Sequence, residues 1–176
     1  MLGQKNWEEA GGIPYAIDRT DEDLTRKHIT EAAIDVLMKD NKKGFFLMLE
    51  GGRIDWAAHA NDAATTIKEV VDMDEAIRVA YEFYKKHPKE TLIVITADHD
   101  TGGVTVGQGR LNITSLQYQS QSQDILSKRI NALRESKNGE VVSWEEVKGL
   151  LTETMGFWKE IPLNWEQEKT LRDTYE

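Results

Sequence analysis

The chain has 176 residues, with 22 Lys and Arg against 31 Asp and Glu, a net charge of -9, and no cysteine. That length suffices for one domain with a core, and the acidic balance excludes nucleic acid and anionic membrane surfaces, which are held chiefly by Lys and Arg, as expected partners. Without cysteine there is no disulfide and no thiolate site, so a metal would have to be held by His, Asp, Glu or backbone oxygen.

Residues 1–19 read as an irregular lead-in, and the start lacks the basic and apolar regions of an export signal. No later stretch is long and apolar enough to span a bilayer. Thr20 or Asp21 is placed to cap a helix running to about Lys39, with Leu24, His28, Ala32 and Val36 at helical spacing beside Ile29, Ala33 and Leu37. Residues 41–44 end it. The run FFLML, residues 45–49, is short, continuous and apolar between turn residues, which predicts a buried strand. From Asp62 to about Lys86, the residues Ile67, Val70, Val71, Ile77, Ala80, Tyr81 and Tyr84 predict the buried face of a long helix that His87-Pro88 stops.

TLIVITA, residues 91–97, predicts a second buried strand. Strand, helix and strand make a βαβ unit, so the fold class expected is α/β: a mainly parallel sheet flanked by helices, followed by a helical C-terminal segment. The organisation expected is a single α/β domain over 1–176, with a βαβ core at 20–107 and an insertion-like helical segment at 108–176. In that segment Leu126, Ile130 and Leu133 line a helix over 124–134. Ser143 and Glu146 form a capping box before another helix, and Asn164 caps a last one. Trp144, Trp158 and Trp165 are expected to anchor these helices in a core.

In an open α/β sheet, sites form beyond the carboxyl ends of strands. Glu50 closes the first predicted strand, and Asp98 with His99 closes the second. If the chain turns helical after Gly52, Asp55 and His59 stand one turn apart on the same face, so a carboxylate and an imidazole converge. Two such mixed pairs suit zinc, and a lone Glu oxygen suits a harder ion such as magnesium. The plainer reading of each piece is a strand end where the chain meets water, or a solvated helix face. Trp56 stands inside the ligand segment, where it could wall a site. His28 and His87 lack an acid partner at useful spacing and read as surface or helix-packing residues.

FFLMLEGGRIDWAAHAND followed by TLIVITADHDTGG resembles the alkaline phosphatases, and the likeness extends upstream through GIPYAIDRTDEDLTRKHITEAAIDVLMKDNKKG, covering roughly residues 12–107. The resemblance implies that Glu50 binds magnesium, that Asp55 and His59 bind a first zinc, and that Asp98 and His99 bind a second. It implies hydrolysis of phosphate monoesters through a phosphoserine, in a parent enzyme that is periplasmic or secreted. No segment matches the family's nucleophilic Asp-Ser pair, its magnesium-binding Thr, its phosphate-binding Arg or its late zinc His. The chain is therefore expected to be part of a larger enzyme, inactive by itself and prone to self-association through uncovered apolar surface. Two other readings remain open: a non-catalytic metal-binding or interaction module, and a related sulfatase, phosphodiesterase or phosphoglycerate mutase.

Overall fold

The computed structural model describes residues 12–103 and 112–175, in two compact units that divide between Val104 and Thr105. In the first unit the elements are α1 (Arg26–Met38), α2 (Gly52–His59) and α3 (Ala63–Lys86). In the second, a 3-10 turn at Ile113–Tyr118 precedes α4 (Gln123–Ser136), α5 (Trp144–Met155) and α6 (Trp165–Tyr175). Among the described residues no helix is long and apolar enough to cross a membrane.

The expected parallel sheet is overturned. Helix accounts for 56% of the described residues and strand for 1%, with no sheet; strand pairing there is the isolated bridge Phe157–Ile161. Residues 45–49 and 91–97 are the two expected strands, and both run without helix or ladder. A strand exists through N–H and C=O groups paired to a neighbour, and an apolar run alone does not supply that neighbour. The side chains expected to be buried there are open to solvent: Phe46 is 87% exposed, Leu92 86%, and Met48, Val94 and Ile95 are also exposed. Along 45–50, half-buried and exposed residues alternate, which is the two-residue period of a pleated backbone without its partners.

α1 begins later than expected. Thr20 closes a local turn instead, its backbone N–H and hydroxyl both donating to Asp23 at 2.8 and 2.9 Å. The cap is Thr25, whose hydroxyl accepts from the His28 backbone N–H, while the Thr25 N–H donates to His28 Nδ1, both at 3.3 Å. His28 is thus the second member of a capping box. Asp62 caps α3 through Thr65, and His87 ends it with its ring 4.6 Å from that of Phe83.

α1 and α2 both pack against α3, and the face of α3 they cover is not the predicted one. Ile67, Val70 and Val71 are exposed, whereas Thr65, Glu69, Asp72 and Ala76 are buried. The spacing of that stripe, four, three and four residues, is helical, but all of it except Ala76 is polar. Glu69 is fully buried and accepts from the Ala16 backbone N–H at 2.6 Å. Asp72 receives both terminal nitrogens of Arg19, at 2.5 and 2.9 Å, and Arg26 Nη1 at 2.6 Å. Arg26 also reaches Glu69 at 3.4 Å. Two arginines and two carboxylates thus cancel in charge while tying the lead-in and α1 to α3. Bidentate geometry and several hydrogen bonds per group are what allow such charges to lie under cover.

The second unit is organised conventionally. Ser143 and Glu146 form the expected capping box of α5, Ser122 caps α4, and Asn164 exchanges hydrogen bonds with Gln167 at the start of α6. Leu126, Val142, Trp144 and Leu150 are buried. The Trp144 ring lies 5.5 Å from that of Tyr175 and 6.0 Å, edge-on, from that of Trp158. Tyr175 also donates its hydroxyl to the Val142 carbonyl at 2.7 Å, which closes α6 onto the segment before α5. Trp165, expected in that core, is 75% exposed.

Candidate metal-binding site

Asp55 and His59 lie on α2, which begins at Gly52 as the spacing required. Ala57 and Ala58 of the same helix are buried, and these small residues let α2 lie close on α3 and turn the Asp55–His59 face outward. The His59 Nε2 stands 3.6 Å from Asp55 Oδ1. In the loop after residue 97, His99 Nε2 stands 3.4 Å from Asp98 Oδ2. Ligands 2.0–2.2 Å from a tetrahedral zinc lie about 3.3–3.6 Å from each other, so each pair spans the edge that two zinc ligands occupy.

The two pairs meet. Thr101 donates its hydroxyl to Asp55 Oδ1 at 2.5 Å, and its Oγ1 is 3.1 Å from His99 Nδ1. The loop comes this close because of the residue that follows: Gly102 has φ +70°, and a Cβ there would stand 2.7 Å from the Ala58 carbonyl oxygen. A side chain at 102 would push the loop away from α2.

The charge around His99 is anionic. Its pKa is raised above the usual value, first by the hydrogen bond from Nδ1 to the Asp100 carbonyl, at 3.0 Å, and next by Asp98, with smaller contributions from Asp55 and Asp100. A carbonyl only accepts, so Nδ1 carries the proton in that contact, while Nε2 faces the Asp98 carboxylate.

Glu50 is placed differently. Its carboxylate lies over the start of α2, where a Cβ on Gly52 would stand 3.1 Å from Oε1. Trp56 is half exposed. The Arg53 guanidinium lies 5.2 Å from its ring centroid and 4.6 Å from that of Tyr15, so Arg53 pins the lead-in to α2 beside the donor pairs.

The donor chemistry therefore fits divalent cations, two donors at a time. Among the described residues no three His, Asp or Glu side chains close on one point, so each pair is a partial set. Spacing had singled out Asp55, His59, Asp98 and His99, but not Thr101, whose signal was a hydroxyl residue two positions beyond His99.

Comparison with known proteins gives a consistent picture. The family described as Alkaline phosphatase matches residues 8–160. Alkaline phosphatase 4 of Bacillus subtilis is 52% identical over 97 residues, 55% of this chain and 21% of that protein. The repressible alkaline phosphatase of Saccharomyces cerevisiae is 39% identical over 102 residues, 54% of this chain and 18% of that protein. Among solved structures, a cold-active alkaline phosphatase from a Shewanella species superposes with a TM-score of 0.70 at 28% identity, covering 92% of this chain and 37% of the other. The chain thus spans about a fifth of the length of the curated relatives it matches.

Proposed function

Since the chain belongs to the alkaline phosphatase family, we propose that it supplies the paired metal donors of a site that hydrolyses phosphate monoesters. Asp55 and His59 would hold one zinc, Asp98 and His99 a second, and Glu50 a magnesium ion. The observation that carries this reading is the hydrogen-bonded bridge from Asp55 through Thr101 to His99, which gathers two zinc-spaced pairs at one surface.

Bound there, divalent cations would polarise phosphoryl oxygens and offset the negative charge of a phosphate dianion. The protein groups perform the remaining tasks. Asp98 presents an exposed carboxylate and Asp55 a half-buried one, so without counter-charge they repel an anionic substrate. His99 keeps its proton on Nδ1 and offers Nε2. Arg53, packed on Tyr15 and Trp56, fixes the lead-in against the helix that carries Asp55.

No serine here lies in the context of the family's nucleophile, and each zinc would find two donors, and magnesium one, where zinc commonly takes three or four from protein. This chain therefore binds metal without turning over substrate. Equilibrium dialysis of the 176-residue chain against zinc, with an aryl phosphate assay in parallel, tests both statements. The expected result is zinc uptake that Asp55→Ala and Asp98→Ala each abolish at one site, with no phosphate release. Uptake that survives both substitutions overturns the metal assignment, and robust zinc-dependent hydrolysis overturns the claim of inactivity.

A further inference from the structure

We propose that Thr101 is a positioning residue that couples the two donor pairs, holding the Asp55 carboxylate and fixing the tautomer of His99 through a single hydroxyl. The inference rests on the metal-binding reading above and deepens it.

A threonine hydroxyl has one proton to give and lone pairs that accept. The 2.5 Å contact to Asp55 Oδ1 uses the proton, because a carboxylate can only accept. At 3.1 Å, Thr101 Oγ1 is then left to accept from His99 Nδ1–H. The direction of donation is thereby determined: His99 Nδ1 to Thr101 Oγ1 to Asp55 Oδ1. The same Nδ1–H faces the Asp100 carbonyl at 3.0 Å, so two acceptors share it and both disfavour the tautomer protonated on Nε2. Nε2 stands 3.4 Å from Asp98 Oδ2, the spacing of two ligands on one zinc, so a cation seated between them would take the Nε2 lone pair while Thr101 and the Asp100 carbonyl hold the proton on Nδ1.

On the other side, Oδ1 of Asp55 is also the oxygen that faces His59 Nε2. Thr101 thus orients one member of each pair. Its reach depends on Gly102, whose missing Cβ admits the loop to the Ala58 carbonyl. Groups that orient metal ligands from behind commonly change metal affinity about 10- to 100-fold when removed.

The test compares the 176-residue chain with Thr101→Val, which keeps the branched shape but loses the hydroxyl, and with Thr101→Ser, which keeps the hydroxyl. Three quantities are read: zinc affinity by competition with a chromophoric chelator, the His99 ring-nitrogen shifts of the metal-free chain at alkaline pH, and metal-free thermal unfolding. The expected outcome for Thr101→Val is zinc binding weakened about 10- to 100-fold. The His99 proton is expected to redistribute toward Nε2 with an unchanged unfolding midpoint, and Thr101→Ser to restore affinity and tautomer. Gly102→Ala, which displaces the loop, should weaken zinc binding as Thr101→Val does. If wild type binds zinc and Thr101→Val binds it equally well, this inference alone is overturned. A wild-type chain that takes up no zinc overturns the metal reading and this inference with it.

Discussion

The two units differ in what they bury besides small or apolar side chains: the first adds a charged network to Tyr15, Ile17 and its alanines, and the second does not. In the second, apolar and aromatic side chains such as Leu126, Trp144 and Leu150 are covered, and the ion pair Arg129–Glu153 stays near the surface. In the first, Glu69, Asp72 and Arg26 are buried, while Phe46, Met48, Leu92, Val94 and Ile95 face solvent. The difference shows that a helical stripe can be recognised by spacing and still be filled by charge. A buried ion network is directional and leaves an uncompensated charge when a partner is lost; an apolar cluster is not directional and leaves a cavity instead.

The largest expected effect would sharpen that contrast. Asp72→Ala takes the carboxylate partner from Arg19 and leaves Arg26 only its 3.4 Å contacts to Glu69, and the loss of one partner from a buried pair costs about 3–5 kcal/mol. Hydrogen exchange should show α1 and α3 losing protection while α5 keeps its own; equal loss in both units would break the comparison. A smaller effect is expected from Ser143→Ala, which removes the hydroxyl cap of α5 at about 1 kcal/mol. Urea unfolding followed by helix-resolved exchange measures it, and α1 and α3 should be unaffected.

The smallest effect is a pH dependence of the second unit. The Lys137 ammonium and the Ser143 hydroxyl and N–H hold the Glu146 carboxyl at a pKa of about 2, down from 4.5. A carboxyl lowered by folding contributes stability that is complete above about 4.5 and lost as pH falls toward about 2. Exchange at the start of α5 should therefore accelerate across that window. Lys137→Ala, which removes the foremost cause of the shift, should move the loss to higher pH. An acid profile that Lys137→Ala leaves unchanged would remove Glu146 from the account.

Much of the candidate site was legible because it depends on short-range spacing. Asp55 and His59 need only one helical turn, and α2 supplies it from Gly52. The Ser143–Glu146 box was likewise readable, since cap and partner are three residues apart. The buried face of α3 was not, because Glu69 and Asp72 take their meaning from Arg19 and Arg26 more than forty residues away, and an isolated acid on a helix reads as solvated. The two apolar runs misled for a related reason. Residues 45–49 and 91–97 have the composition of strands, but a ladder is a property of two segments, and composition describes one. Thr101 escaped notice because a lone hydroxyl carries no signal until the fold sets it between Asp55 and His99.

The ionic stripe on α3 also bears on how the first unit responds to heat. Unfolding exposes apolar surface that raises heat capacity and polar surface that lowers it. A unit that hides Glu69, Asp72 and Arg26 while leaving Phe46 and Leu92 already wet has less of the former to expose. Its curve of free energy against temperature is accordingly expected to be broader than that of a grease-filled domain of equal size, which calorimetry would read as a smaller heat-capacity change on unfolding.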